Sequence, residues 1–330
     1  MTFVAILLAV LYALGLWWFS TGAILWLDRR TTSYRLTLVA ATVVALGVSA
    51  ALWITRSADT PAGAFTAFTA ALLLWGWHEL SFLTGAITGP SRTACPPGVV
   101  GWRRFRLATA TLIHHELALA ATAVAVAVVT LGQANPIAGW TFLVLFVARL
   151  SSKLNLFLGV PNFSAEFFPQ HLRHLTSYLR KGPVSPLFPL SLLGLTAIAT
   201  AAARLALPPA ASAFQTTGFA LVFALTALAL LEHGFMALPV ADTALWRWAL
   251  PAAERARLRV ATSPDPIKTS NGSAPSERPQ ETTRGTTKPS SRPSSTASAR
   301  RAATASSPIW SARPAASPTP PATTAAGCRT

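Results

Sequence analysis

The sequence predicts a polytopic, all-α membrane protein with about seven transmembrane helices, and two observations carry this prediction. The 330-residue chain is 52% hydrophobic, contains only 12% charged residues and has a mean hydropathy of +0.46. A soluble domain carries about 25% charged residues. Apolar runs of about twenty residues also recur along the chain, and this is the length needed to cross a hydrocarbon core about 30 Å thick.

The apolar runs are separated by short loops that contain polar residues, proline or glycine. The first run has the position of a signal peptide, but no basic segment precedes it and Asp28, Arg29 and Arg30 follow it, so we expect a retained helix. Pro90 and Gly98 lie in the loop that separates the third and fourth runs. The runs predict a transmembrane domain over residues 1–250, with spans at about 3–27, 36–54, 64–87, 107–131, 137–158, 187–207 and 214–238.

Two segments differ from these spans in composition. The polar and aromatic stretch before Gly182 carries Phe168, Leu172 and Leu175 partly on one face, which predicts an interfacial amphipathic helix. Residues 251–330 are rich in Ser, Thr, Pro, Ala and Arg and lack the apolar content to form a core. We therefore expect a disordered, basic tail there.

The distribution of basic residues predicts the orientation of the spans. The net charge of +16 could indicate nucleic-acid binding, but most of the basic residues outside the tail lie in short loops, so topology explains them better. Ten of them follow the first, third and fifth spans, and two follow the alternate spans. This asymmetry predicts a periplasmic N-terminus and a cytoplasmic tail. The ten are Arg29, Arg30, Arg35, Arg92, Arg103, Arg104, Arg106, Arg173, Arg180 and Lys181, and the two are Arg56 and Arg204.

Titratable residues inside the predicted spans form one layer. Each costs roughly 2.5–3.5 kcal/mol at the centre of a membrane helix on insertion scales, so their presence requires an explanation. With a rise of 1.5 Å per residue, they all lie roughly 8–13 Å from the cytoplasmic ends of their spans. The pigment- or metal-binding candidates are His78, Glu79, His114, His115, Glu116, Glu232 and His233, and the charge-balancing candidates are Arg149, Lys153 and Asn155.

The residue types in this layer allow several roles. Imidazole and carboxylate groups can ligate a metal, and imidazole can be the axial ligand of a tetrapyrrole metal. The Glu-x-x-His spacing of di-iron proteins is absent, because the histidine and glutamate of each pair are adjacent. His171 and His174 have an i, i+3 spacing that would suit a metal. Charge pairing that fixes helix packing, and a proton or substrate path, are the other two interpretations.

Six ordered motifs resemble one known family. Over residues 1–250 the chain is similar to the photosynthetic complex assembly protein 2 family of anoxygenic phototrophic bacteria, whose genes accompany reaction-centre and bacteriochlorophyll genes. The resemblance implies a multi-span inner-membrane protein that assists formation of the reaction centre and its antenna and influences bacteriochlorophyll supply. The motifs are WHELSFLTG at 77–85, GWRRF at 101–105, ATLIHHE at 110–116, KLNLFLGVPN at 153–162, PLFP at 186–189 and LEH at 231–233.

We therefore expect an inner-membrane assembly factor that acts as a binding protein. Its expected partners are reaction-centre or light-harvesting subunits and membrane lipids, with no nucleic acid. Its expected ligand is bacteriochlorophyll or a precursor, held at the histidine and glutamate layer. Two alternatives stay open, a metal-dependent membrane oxidase or hydroxylase of a tetrapyrrole or carotenoid precursor, and a transporter of pigment, lipid or protons. The absence of clear internal repeats disfavours the transporter.

Overall fold

The computed structural model describes residues 2–30, 33–163, 168–238 and 248–249. Within these ranges the regular secondary structure is helical, apart from one β-bridge between Val160 and Lys181. The chain is thus all-α, as predicted; the predicted disordered tail lies outside the described residues. The elements are α1 (Thr2–Arg30), α2 (Tyr34–Thr55), α3 (Pro61–Leu83), α4 (Gly101–Ala110), α5 (Ile113–Thr130), α6 (Ile137–Leu158), a 3₁₀ helix (Gln170–Tyr178), α7 (Leu187–Ala206) and α8 (Ala213–Ala237).

Six of the described helices, α1, α2, α5, α6, α7 and α8, are long and apolar enough to span a membrane. Their surfaces carry exposed apolar side chains such as Leu46, Val128 and Leu193. In water such surfaces would aggregate, whereas in a bilayer they face lipid of the same polarity. The protein is therefore a multi-pass membrane protein.

Helix α3 is the inner helix of the bundle. It contacts α1, α2, α5, α6 and α8, and its first four turns bury Ala64, Phe68, Ala71 and Leu72. Small residues on this helix allow its neighbours to approach closely, as is usual between membrane helices. Its last two turns carry Trp77, whose indole donates a hydrogen bond to Thr42 on α2, and the polar His78-Glu79 pair.

The predicted fourth span, at about 107–131, is divided in the structure. Helix α4 ends at Ala110, and α5 begins at Ile113 after a turn in which Leu112 leaves helical geometry, with φ −140° and ψ 2°. The apolar part that spans the membrane is α5 alone, with 18 residues. Helix α4 is a separate amphipathic helix with three arginines.

The break is stabilised by the loop that follows α3. The amide of Ser91 donates to the carbonyl of Ala110, and the carbonyl of Thr88 accepts from the amide of His115, so backbone groups freed by the break keep partners. Between these two bonds Gly89 lies directly against the backbone of Ala110. A side chain at position 89 would collide with that backbone, so the close approach requires glycine.

Loops meet at both ends of the bundle. At one end, the side chain of Asn135, between α5 and α6, donates to the carbonyls of Thr55 at the end of α2 and Gly63 at the start of α3. At the other end, the loop after α3 and the segment after α6 are joined by a bond from the amide of Cys95 to Ser177. These contacts agree with the alternation of loops that the predicted spans require.

The segment predicted as an interfacial amphipathic helix is a 3₁₀ helix. Its apolar residues Leu172 and Leu175 pack against Phe82 at the end of α3 and against Phe168. The predicted apolar face is therefore present, and it covers the end of the bundle that also holds the polar layer.

Candidate functional site: an intramembrane cavity and its polar wall

A cavity of about 520 Å³ lies between α1, α3, α6 and α8. This volume falls within the range of about 300–1,000 Å³ that is usual for small-molecule sites. Its walls are mainly apolar and aromatic, with Trp17 from α1, Trp75 from α3 and Phe235 from α8. Residues after α6, among them Phe163 and Lys181, complete it at the end of the bundle.

Three charged residues of the predicted layer line this cavity. Glu79 on α3 accepts a hydrogen bond from Arg149 on α6, with 3.0 Å between Oε2 and the guanidinium nitrogen. The Arg149 side chain is 43% exposed although it lies within a span, because it borders the cavity. Glu232 on α8 accepts from the indole of Trp17, at 3.0 Å. The cavity therefore combines an apolar body with a few fixed polar groups.

His78 faces the other side of α3. Adjacent helical residues point about 100° apart, so the neighbour of Glu79 is turned away from the cavity and toward α5. His78 is 3% exposed, and its Nε2 lies 2.8 Å from Thr122 Oγ1. Its ring centroid is 6.5 Å from that of His115 on α5.

His115 is sealed inside the bundle. It is 0% exposed, its ring lies 4.6 Å from that of Phe82, and among the described residues neither of its nitrogens has a hydrogen-bond partner. A buried polar atom without a partner usually costs about 1–3 kcal/mol. The two imidazoles thus form a buried pair that does not line the cavity.

Glu116 on α5 and Lys153 on α6 form a second ion pair, and neither residue lines the cavity. The Lys153 ammonium donates to Glu116 Oε1, and both side chains are largely buried. The layer thus contains two ion pairs, Glu79 with Arg149 and Glu116 with Lys153, which is the arrangement that the charge-pairing interpretation describes. Within a membrane this pairing lowers the cost of burying each charge.

His233 and Asn155 belong to a network of uncharged groups. His233 Nδ1 lies 2.8 Å from the carbonyl of Ala229, so it carries the proton in the neutral ring, and Nε2 then accepts from Ser151 at 2.9 Å. Asn155 donates to Ser191 on α7. Asn155 therefore ties α6 to α7 and does not contact the carboxylates that it was expected to balance.

The remaining histidines lie apart from the cavity and the buried pair. His114 is exposed at the start of α5, and His171 is exposed on the 3₁₀ helix. His174 is half-buried, and burial lowers its pKa below the usual value. Across the described ranges no three His, Cys, Asp or Glu side chains are grouped as metal ligands, so the geometry around His171 and His174 supplies two imidazoles without a third such group.

Sequence reasoning did not identify the apolar wall of the cavity. Trp17, Gly76 and Phe235 line it, but their spacing is that of ordinary packed helices. The sequence did contain one usable signal for a cavity wall. Three of the histidines are each adjacent to a glutamate, and adjacent helical residues face different neighbours, so at most one residue of each pair can line a given cavity. Ser151 and Thr122, which contact the buried histidines, gave no signal beyond their polarity inside apolar runs.

These features define a helical, multi-pass membrane protein with an ion-paired polar layer and a cavity among its spans. The chain belongs to the family described as "Protein of unknown function (DUF3623)", whose profile matches residues 3–257. It is also similar to an "Uncharacterized 30.4 kDa protein in puhA 5'region" of Rhodobacter capsulatus. The two are 40% identical over 252 residues, which cover 75% of this chain and 92% of that protein. No solved structure matches the chain.

Proposed function

We propose that this protein is an inner-membrane assembly factor for the bacterial photosynthetic complex, and that it holds a bacteriochlorophyll-type pigment or a precursor in its cavity. The relative from Rhodobacter capsulatus supports a role connected with photosynthesis, because it comes from a phototroph and its gene lies in the region 5' of puhA, a reaction-centre gene. The motif resemblance supports the assembly role. The expected partners are the reaction-centre or light-harvesting subunits that receive pigment.

The cavity is the observation that carries the ligand-binding part of the proposal. Its apolar walls and aromatic rings suit the body of a macrocycle, and Arg149, Glu79 and Glu232 offer hydrogen-bonding groups for polar substituents at its edge. The histidine candidates do not line it: His78 and His233 each have a nitrogen bonded within the bundle, and His115 is sealed. We therefore propose that the cavity retains the pigment by its shape and by its charged residues Arg149, Glu79 and Glu232, without axial ligation by histidine.

The arrangement favours a binding protein over an enzyme. Two ion pairs fix the carboxylates of Glu79 and Glu116, and in the described part of the chain no three-residue metal-ligand group accompanies them. Holding a pigment and releasing it to a subunit requires a cavity and an exit, and no reacting group. Binding without turnover is the expected behaviour.

The experiment that tests this proposal fills the cavity. Gly76 lies on its wall, with only Ile24 near the position of an added Cβ, so Gly76→Leu places a side chain in the space that the pigment would occupy. Gly194→Leu on α7 is the matched control, because nothing lies within 4 Å of an added Cβ there. Both variants and the wild type are purified in mild detergent from a pigment-making host, and their absorption spectra and metal content are measured.

We expect Soret and far-red bands in the wild type and in Gly194→Leu, and their loss in Gly76→Leu. The variants His78→Ala, His115→Ala and His233→Ala should keep the bands in proportion to the folded protein recovered. Loss of the bands in one folded histidine variant alone would show that this histidine ligates the pigment, in place of retention by the charged residues of the cavity. Bound iron with turnover of a pigment precursor would favour the enzyme, and a colourless wild type would contradict the proposal.

A further inference from the structure

A second feature, separate from the cavity, is a positively charged surface formed by two segments at one end of the bundle. Segments 88–112 and 168–186 contain no aspartate or glutamate. They are held together by bonds such as that from Tyr178 to the carbonyl of Thr93. Their basic residues are Arg92, Arg103, Arg104, Arg106, Arg173, Arg180 and Lys181.

Within this surface, α4 and the end of α6 form a groove with an apolar floor. Trp102 stacks on Phe105 at 5.0 Å, and Phe105 meets the ring of Phe157 edge-on at 5.6 Å. Leu158 extends the floor, and Arg180 lies at the rim. The groove therefore places apolar rings beside a cationic group.

Arg104 holds α4 in this position. Its guanidinium donates to the carbonyls of Phe157 and Tyr178 and lies 4.3 Å from the centre of the Phe157 ring. Arg103 and Arg106, on either side of it, are exposed, as is Arg180. Arg104 is thus structural, Arg180 lines the groove and is exposed to an external anion, and Arg103 and Arg106 lie on the exposed surface of α4 beside it.

The groove combines charge with exposed apolar area, and this chemistry suits an anion that is part of a lipid. Trp102 is 71% exposed and Leu158 is 43% exposed, so a soluble anion would leave this apolar area in water. The groove adjoins the end of the membrane-spanning helix α6, where headgroups lie, and exposed tryptophan is typical of that depth. A cluster of arginines beside a span attracts anionic headgroups.

We propose that the groove between α4 and the end of α6 binds an anionic phospholipid, with its phosphate at Arg180 and the start of an acyl chain on Trp102, Phe105 and Leu158. The exposed Arg103 and Arg106 add positive charge to the surface beside the groove. This lipid fixes α4 flat on the bilayer surface. The site does not depend on what the cavity holds.

The test measures lipid that remains bound to the full-length protein. Protein exchanged into mild detergent with equal amounts of phosphatidylglycerol and phosphatidylcholine is analysed by native mass spectrometry. The variant Arg103→Gln/Arg106→Gln/Arg180→Gln leaves Arg104 in place, and Arg204→Gln, an exposed arginine in the last turn of α7, is the control. We expect the triple variant to lose phosphatidylglycerol retention by about tenfold or more, and Arg204→Gln to retain it.

A second measurement needs no change to the arginines. Brominated phosphatidylglycerol should quench Trp102 more strongly than brominated phosphatidylcholine, as shown by the difference in quenching between the wild type and Trp102→Phe. Soluble glycerol phosphate and inorganic phosphate should not displace the lipid. Equal quenching by both lipids, displacement by inorganic phosphate, or unchanged retention in the triple variant would overturn the proposal.

Discussion

The two faces of α3 differ although the residues that carry them are neighbours in sequence. On one face Glu79 reaches the cavity and pairs with an arginine that is 43% exposed. On the other face His78 is buried against α5, near His115 and the largely buried pair of Glu116 and Lys153. One face can touch a ligand, whereas the other is closed.

In the sequence, His78 and Glu79 belong to one polar layer, whereas in the structure one lines the cavity and the other is packed inside the bundle. Residues on the cavity face are charged and border an open volume, so substitutions there should change ligand retention. Residues on the closed face are packed against neighbouring helices with no open volume beside them, so substitutions there should change the free energy of unfolding. Variants on each face can test this separation.

The largest effect on stability is expected for Lys153→Met. Removing the ammonium leaves the carboxylate of Glu116 buried without its partner, and breaking a buried ion pair in this way costs about 3–5 kcal/mol. The measurement is the free energy of unfolding of the purified protein during titration with sodium dodecyl sulfate. The double variant Glu116→Gln/Lys153→Met should recover most of the loss, because no uncompensated charge remains.

The double variant also separates the two faces. It should keep the pigment bands of the wild type, while the cavity-facing counterpart Glu79→Gln/Arg149→Gln should fold and lose them. Loss of pigment in both double variants at equal folded yield would show that the two faces act together.

An intermediate effect is expected for Gly89→Ala, which changes the contact that positions His115. The added methyl group meets the backbone of Ala110, and overpacking of this kind costs about 1–3 kcal/mol. Gly194→Ala is the control, because it adds the same methyl group in open space and gains helix propensity. Thermal unfolding should show a lower midpoint for Gly89→Ala only; equal midpoints would mean that the loop can move away from α4.

The smallest effects distinguish the two fully buried histidines. His233→Leu removes the hydrogen bond with Ser151 and should cost about 1 kcal/mol. His115→Leu removes nitrogens that have no partner among the described residues, so it should cost less or increase stability. The same denaturant titration compares them. A larger loss for His115→Leu would indicate that its ring binds something that the bundle itself does not supply.

The sequence predicted the features that depend on local composition. Apolar runs placed the helices, and depth along the spans placed Glu79, Glu116, Arg149 and Lys153 in one layer, where the structure pairs Glu79 with Arg149 and Glu116 with Lys153. Such features can be read from the sequence because helix rise and the cost of buried charge are general.

Features that depend on long-range contacts were not predictable in this way. The division between α4 and α5 depends on the bonds of Ser91 with Ala110 and of Thr88 with His115, whose partners are 19 and 27 residues apart in the chain. Whether a residue of a histidine-glutamate pair faces the cavity, and which one, depends on how its helix is rotated against its neighbours. The partners of Asn155, Ser151 on α6 and Ser191 on α7, could not be read from the sequence either, because they depend on how these two helices pack.

The division of the fourth span also affects the membrane around the protein. At 1.5 Å per residue, α5 with 18 residues is about 27 Å long, while α8 with 25 residues is about 37 Å long. Exposed Val124 and Val128 on α5 face the lipid, so the bilayer meets a short hydrophobic wall on this side. Mismatch of this kind is relieved by local thinning of the bilayer. We therefore expect the bilayer to be thinner beside α5 than beside the longer spans, so that neighbouring proteins with short spans would match it best there.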